Sequence, residues 1–458
     1  MAEKTIQERT ATKRDWTQGS TLNNLLLLSW PMVIMEILWM TSQMVDMLWV
    51  GRLGSAAIAG VGVAGIIAMM LMAMDLGIIM GIRAMVARFI GAGDYGGARK
   101  VAGQAYIIGA VWGAFVSVVG FFAASPMMKM FGVPPDVAAE GAAYLRVLFG
   151  GWILVELLIV GLYTIQSTGD TLKPMLIECG IRSLHITLCP FLVLGLGFFP
   201  PLGTAGAALS NVVSQAIGAA IGIWLLTTGR TRMRLALQDF RFIPDLTWRM
   251  LKIGIPALVM DLQRSFGNLV LTWFIVPYGT IPIAAHSLAS RVEMFLSTPG
   301  FGLGGGAGVL VGQNLGARQP ERAGKGAWLA VVLVEAIMLV FSVVILFMAE
   351  KIVAIFSSDP ALIEVGSLFL RIGILGYILA AVVLVLQAAI AGAGDTLPNM
   401  IFSIAMIWII QMPLAFFLQG VGGLGVYGIR WAIVAGMAAG AAAYAVYFML
   451  GRWKTKKV

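Results

Sequence analysis

From residue 183 to residue 229 the chain carries no Asp, Glu, Lys or Arg. Uncharged apolar runs of the same kind recur at 55–74, 101–128, 157–169, 265–290, 294–317, 372–394, 396–429 and 431–451. Crossing the hydrocarbon core of a bilayer takes about 20 mostly apolar residues. A chain with this many such runs is a polytopic membrane protein. Composition closes the alternatives. Only 12% of residues are charged, against about a quarter in soluble domains, which excludes a water-soluble enzyme. The 56 Gly and 27 Met exclude a coiled coil, and the apolar content excludes disorder. The net charge of +9 sits in short patches between apolar runs, so no nucleic-acid partner is expected. The lipid bilayer is the expected surrounding. Short alternating segments, the mark of a membrane barrel, are absent.

The longest runs divide at turn signals, Pro200-Pro201-Leu202-Gly203 and Gln419-Gly420-Val421-Gly422-Gly423. The expected fold is therefore all-α and integral to the membrane. Its twelve helices are expected over 22–50, 55–83, 98–125, 138–168, 172–196, 203–229, 247–275, 280–311, 325–349, 361–392, 396–418 and 424–451. The first polar residues include Lys4, Arg9, Lys13 and Arg14; no cleavable signal peptide precedes the first span, which should stay in the protein. Lys and Arg gather at the N-terminus, in alternate loops and at the C-terminus, whereas the opposite loops hold only Arg52, Lys129 and Lys351. By the positive-inside rule both termini are cytoplasmic and the chain is a multi-pass protein of the plasma (inner) membrane. Cys179 and Cys189 lie ten residues apart on one span, roughly 15 Å along a helix, too far for a disulfide. No metal site and no cofactor are expected from them or from any other motif.

The two halves repeat at an offset of 225 residues: Pro31 pairs with Pro256, Gly54 with Gly279, Gly91-Ala92 with Gly316-Ala317, Leu145-Arg146 with Leu370-Arg371, and Gly169-Asp170-Thr171-Leu172 with Gly394-Asp395-Thr396-Leu397. Each copy holds six spans, an even number, so the copies are parallel about a pseudo-two-fold axis normal to the membrane. Such repeats describe a transporter with its site between or within the halves. The expected organisation is a cytoplasmic tail (1–21), an N-lobe (22–229), a cytoplasmic linker (230–246), a C-lobe (247–451) and a second cytoplasmic tail (452–458).

Val45-Asp46-Met47-Leu48-Trp49-Val50-Gly51-Arg52-Leu53-Gly54 resembles the first-helix signature of bacterial multidrug and toxic compound extrusion (MATE) transporters. Ala87-Arg88-Phe89-Ile90-Gly91-Ala92-Gly93-Asp94, Val311-Gly312-Gln313-Asn314-Leu315-Gly316-Ala317 and Ala391-Gly392-Ala393-Gly394-Asp395-Thr396 are similar to further motifs of that family. The resemblance covers nearly the whole chain. It implies a secondary exporter of amphipathic organic compounds in exchange for H⁺ or Na⁺, working by alternating access of two lobes.

Ionisable groups inside spans are costly and usually face a cavity or a partner. In the first span Glu36, Trp39, Gln43 and Asp46 share a face, with Pro31 five residues before Glu36. The resemblance associates Asp46 with coupling; without it, Asp46 is a solvated acid near a helix end. In the fifth span Glu178, Arg182, His185 and Cys189 share a face, with Glu178–Arg182 spaced for an ion pair and His185 able to titrate near neutrality. One branch of the family carries Asn and Asp where His185 and Cys189 stand here. In the seventh span Asp261, Arg264, Asn268 and Thr272 share a face, with Asp261 five residues after Pro256, and Asp261–Arg264 is spaced as a structural ion pair is.

In the eighth span His286 and Glu293 share a face; Glu293 needs a partner from another helix, and Arg264 is a candidate. The run Pro299, Gly300, Gly302, Gly304, Gly305, Gly306 and Gly308 is expected to bend or break that helix, so that Pro299 joins Pro31 and Pro256 as a hinge candidate. Asp75 follows Met69, Met70, Met72 and Met74, side chains that repack around varied apolar ligands. The cation-coupling candidates are thus Asp46, Glu36, Asp261, Glu293 and His185. The substrate-cavity candidates are Trp39, Gln43, Asp75, Glu178, Arg182, Arg264, Asn268, Thr272 and His286. Buried carboxylates suit cationic substrates, although Arg182, Arg264 and Arg291 would suit anions.

Asp170 and Asp395 are expected to cap helices. H⁺ is favoured over Na⁺ because the positions matching the acids of the Na⁺-coupled branch read Arg264 and approximately Ala380. The expected partners are small amphipathic molecules, the expected state is monomeric, and no catalysis is expected. A lipid-linked sugar flippase of the same superfamily and an integral-membrane enzyme are the competing functions; the first would prefer a larger basic cavity, the second a metal cluster or nucleophile–base pair.

Overall fold

The computed structural model describes residues 14–197, 199–421 and 423–456. The tail residues 1–13, Gly422 of the expected turn and the last two residues of the chain lie outside them, as do the side chains of Gln43 and Met44. Thirteen helices account for the spans. They are α1 (Thr21–Val50), α2 (Ser55–Gly91), α3 (Tyr95–Met130), α4 (Pro135–Gly150), α5 (Trp152–Ser167), α6 (Leu172–Leu194), α7 (Gly203–Thr227), α8 (Pro244–Ile275), α9 (Thr280–Gly316), α10 (Pro320–Ala354), α11 (Pro360–Gly392), α12 (Thr396–Leu418) and α13 (Val426–Leu450). Ten are long and apolar enough to cross a bilayer, and α4 with α5, bent by 52° at Gly151, makes an eleventh. The remaining one, α8, carries Asp245, Arg249, Lys252, Asp261 and Arg264, which dilute its hydropathy. Large apolar side chains such as Phe122 and Phe347 point outward, where lipid replaces water as their solvent.

Several helices outrun the apolar windows. α2 continues to Gly91 rather than ending near 83, and α10 begins at Pro320 rather than 325. Hydropathy marks where lipid ends, whereas the backbone ladder runs on to the next cap. Asp94 supplies one, accepting a hydrogen bond from the Gly97 N–H at 2.8 Å. The fourth expected span is divided because Gly150-Gly151 offers no side chain to hold the turn, and Ser117 Oγ accepts the Ile153 N–H at 3.2 Å. In α12 residues Ala405–Gln411 widen into a π-helix just before Pro413. Proline has no N–H to donate, and a wider turn rearranges the bonds around that gap.

The chain forms two compact units. One comprises Ile34–Gly254 with the described residues up to Gln18; the other comprises Gly19–Val33 and everything from Ile255 onward. The boundaries differ from lobes at 22–229 and 247–451, because α1 and α8 are each divided between units, close to Pro31 and Pro256. The cause is close packing at glycines. In the first unit Gly254 lies against Gly77, where an added Cβ would stand 2.6 Å from the Gly77 carbonyl oxygen. In the second, Gly302 and Gly306 of α9 accept Val33 and Ser29 of α1, with an added Cβ at 2.4 and 2.1 Å from their side chains. The glycine run of α9 thus admits a neighbouring helix rather than breaking its own; α9 is continuous through Pro299.

The segment expected as a linker is strapped to the first unit. Gln104 of α3 donates to the Arg241 carbonyl at 2.8 Å and accepts from the Ile243 N–H at 2.9 Å and the Thr247 hydroxyl at 3.0 Å. The described part of the C-terminal tail is also held, with Trp453 buried and stacked on Phe448 at 4.4 Å.

Gly392 of α11 tests the packing argument, since its Cβ would lie 2.2 Å from the Gly308 carbonyl oxygen, whereas a Cβ at Gly222 meets nothing within 4 Å. Gly392→Ala is expected to destabilise the purified protein by roughly 1–3 kcal/mol. Gly222→Ala should be neutral or slightly stabilising. Thermal melting in detergent separates the two.

Candidate functional site

In the first unit α1 and α6 bring their polar faces together. Asp46 is 8% exposed, and His185 and Cys189 are fully buried. His185 Nε2 lies 2.9 Å from Asp46 Oδ1. Its other nitrogen, Nδ1, is 2.9 Å from Ser42 Oγ. The Cys189 thiol donates to Asp46 Oδ1 at 3.7 Å. One turn earlier Arg182 Nε donates to Glu178 Oε2 at 3.1 Å, and Arg182 Nη1 reaches Ser42 Oγ at 3.5 Å. The two helix faces drawn separately from the sequence meet here, and Glu178–Arg182 is an intrahelical ion pair. Asp46 is buried and paired rather than solvated at a helix end. The carboxylate, imidazole and thiol of Asp46, His185 and Cys189 offer ligand atoms within 4.8 Å of one another. That arrangement departs from the expectation of no metal site, because Asp46 is 143 residues from Cys189 and no local spacing shows the three together.

Glu36 and Trp39, one to three turns before Asp46 on α1, are half-buried, and Glu36 takes no hydrogen bond among the described residues. Gln43, expected on the same face, lies outside the described side chains. Asp75 of α2 is buried, and its Oδ1 accepts from Trp112 Nε1 at 3.3 Å. Glu156 of α5 is buried beside it and accepts from Trp152 Nε1 at 3.3 Å. Asp75 Oδ2 and Glu156 Oε2 have no other donor. Two carboxyls in one apolar site with no cation bonded to either cannot both ionise cheaply. The Met run before Asp75 gave no hint of this pair.

The second unit contains a different cluster. Glu293 of α9 pairs with Arg430 of α13, not with the candidate Arg264. Arg430 is 2% exposed, and its Nη1 lies 3.4 Å from His286 Nδ1. The Tyr377 hydroxyl donates to Glu293 Oε1 at 3.4 Å, and the guanidinium sits 5.3 Å from the Phe369 ring centroid. Asp261 and Arg264 make no ion pair with each other among the described residues, and both are half-buried. Asn268 is exposed and Thr272 half-buried, the Thr272 hydroxyl donating back to the Asn268 carbonyl at 2.9 Å. The seventh-span face thus does not assemble into a cluster. Arg430 stood out in the sequence only as a base inside an apolar run, and no helical spacing named its partner.

Asp395 holds an N-cap position but makes no capping bond. Its carboxylate accepts from the Tyr447 hydroxyl and pairs with Lys456 at 2.8 Å. Asp170 does cap, weakly, accepting from the Lys173 N–H at 3.5 Å, and it also pairs with the Lys173 ammonium.

The MatE family model matches residues 31–191 and again 256–417, so the chain belongs to the MATE family of multi-pass membrane transporters. Both matches begin at the repeated prolines. The chain is 26% identical over 417 residues to the Bacillus subtilis (strain 168) "Uncharacterized transporter YisQ", covering 90% of each protein. It is 24% identical over 440 residues to the "Probable multidrug resistance protein NorM" of Thermotoga maritima, covering 95% of this chain and 93% of that protein. A solved structure described as the outward-facing conformation of a multidrug resistance MATE family transporter of the MOP superfamily superposes with a TM-score of 0.87 at 24% identity, over 95% of this chain and 96% of that one.

The buried pair in the second unit is expected to matter for stability. Glu293→Gln leaves the buried Arg430 charge without its partner and should destabilise by about 3 kcal/mol or more. Glu350→Gln, which removes the exposed partner of Arg371 at 3.1 Å, should cost at most about 1 kcal/mol. Denaturation in detergent checks the ranking.

Proposed function

We propose that the protein is a secondary multidrug antiporter that exports amphipathic, chiefly cationic organic compounds in exchange for H⁺, by alternating access of its two halves. The observation that carries this reading is the buried Asp46–His185 pair on α1 and α6, at the position the family associates with coupling. Asp46 is both a counter-charge for a cationic substrate and an acceptor for a proton. A proton arriving from outside neutralises the carboxylate, weakens its hold on the substrate and favours release outward, provided the two states differ in affinity. His185 supports H⁺ over Na⁺, because an imidazole and a thiol beside one carboxylate are poor company for a hard alkali cation. Glu36 is the second acid on the same helix, nearer its N-terminal end than Asp46. Pro31 and Pro256, near the positions where α1 and α8 pass between units, are the proposed hinges. The protein acts as a monomer in the plasma membrane with both termini cytoplasmic.

Dye efflux from proteoliposomes tests coupling. Efflux is expected under a pH gradient without sodium, and Asp46→Asn is expected to abolish it while the protein still folds. Efflux that needs a sodium gradient at constant pH would overturn proton coupling. Orientation has its own check. Single cysteines at 240 and 318 should resist impermeant reagents applied outside intact cells, and labelling at both positions would reverse the topology.

A further inference from the structure

We propose that Asp46, His185 and Cys189 form a binding site for a soft divalent transition-metal ion of the zinc class. The donor set is a carboxylate, an imidazole and a thiol, the mixture that zinc and its neighbours take. Their ligand atoms all lie within 4.8 Å of one another, and two of the three edges are within about half an ångström of those a tetrahedral ion requires. Bonds of about 2.0 Å to nitrogen and oxygen and about 2.3 Å to sulfur give ligand–ligand edges of roughly 3.3–3.6 Å. Here Asp46 Oδ1 is 2.9 Å from His185 Nε2 and 3.7 Å from Cys189 Sγ. Shifts of a few tenths of an ångström would seat the ion, leaving a fourth position for water.

A second observation points the same way. His185 Nε2 is buried and makes no hydrogen bond among the described residues, although Asp46 Oδ1 is 2.9 Å away. The nitrogen and the carboxylate oxygen are close without being aligned on each other, as two ligands sharing a third point would be. The ring is held from behind by Ser42 Oγ at Nδ1, the kind of outer contact that orients metal-bound imidazoles. Cys189 is in hydrogen-bond reach of Ser210. His185 and Cys189 are four apart on α6, so one helix presents both.

Charge also fits. Binding exchanges the Cys189 thiol proton for the ion: M²⁺ adds, H⁺ leaves, and the thiolate with the Asp46 carboxylate neutralises the dication. The nearest cation, Arg182, is paired with Glu178 at 3.1 Å and adds no net positive charge. Tyr144 is the other titratable side chain facing the group. The chain has only two histidines and two cysteines, and His286 is engaged by Arg430, so competing soft sites are few. On the export reading, which this consequence alone rests upon, a bound ion withdraws Asp46 from proton exchange and arrests transport.

The test uses full-length, tag-free protein in detergent with Co²⁺ alone as the probe. A saturable thiolate-to-cobalt charge-transfer band, at one ion per chain and displaced by Zn²⁺, is expected. Cys179→Ser should keep the band and Cys189→Ser should lose it. Ser42→Ala, which retains every ligand, should weaken binding by at least about tenfold. Size-exclusion and melting profiles establish that each variant is folded. No band in the wild type, a band that never saturates, or one that survives Cys189→Ser would overturn the site. Zn²⁺ added to dye-efflux vesicles separates the two proposals. A cobalt band without dye efflux leaves the metal site standing and removes the export reading; efflux without a band does the reverse.

Discussion

Everything distinctive in this protein follows from the cost of an ionisable group inside an apolar helix. A charged side chain at the centre of a bilayer costs at least about 2.5 kcal/mol, so each one that remains must find a partner or a use. Arg430 meets Glu293, Tyr377 and His286, Arg182 meets Glu178, and Asp46 meets His185 and Cys189. These clusters fix the register in which their helices pack, because sliding one helix by a turn would strand a charge. The two units use unlike clusters. The first holds its groups in a carboxylate–imidazole–thiol set; the second closes around a guanidinium, which keeps its proton under all ordinary conditions. On the proposed function, that asymmetry assigns coupling to α1 and α6 and leaves α9, α11 and α13 a structural ion pair.

Packing at glycine complements this. Where lipid is as apolar as leucine, helices associate through close contact of small residues, and Gly77 with Gly254, Gly302 with Val33 and Gly392 with Gly308 are such contacts. They also explain why unit boundaries fall within α1 and α8, beside Pro31 and Pro256. A helix that changes unit close to a proline is a natural place for a conformational step, since the missing N–H removes one rung of the ladder there.

Much of the fold was legible in the sequence because lipid imposes a simple rule: long apolar runs become helices, and turn signals such as those rich in Gly and Asp separate them. The internal repeat and the family motifs extended that to the whole chain, and the twofold family match starts at Pro31 and Pro256 as the repeat does. The convergence of Asp46 with His185 was half visible, since each helix face could be drawn alone. What lay beyond the sequence was every contact set by packing between distant helices. Nothing near Glu293 distinguishes Arg430 from Arg264 as its partner. Nothing near Asp75 announces Glu156 opposite it. The glycine run of α9 reads equally as a break or as a groove until the side chains of Val33 and Ser29 are seen to fill it. Asp395, in a capping position, was drawn instead to Tyr447 and Lys456 because both lie on elements far along the chain.

The central claim is that a substrate and a proton compete for the Asp46–His185 pair. The most direct measurement is proton release on dye binding, followed with an indicator in weakly buffered detergent solution. The wild type is expected to release protons as dye saturates, and folded Asp46→Asn to release none. Equal release by both proteins, or dye binding by the wild type with no proton release between mildly acidic and neutral pH, would contradict it.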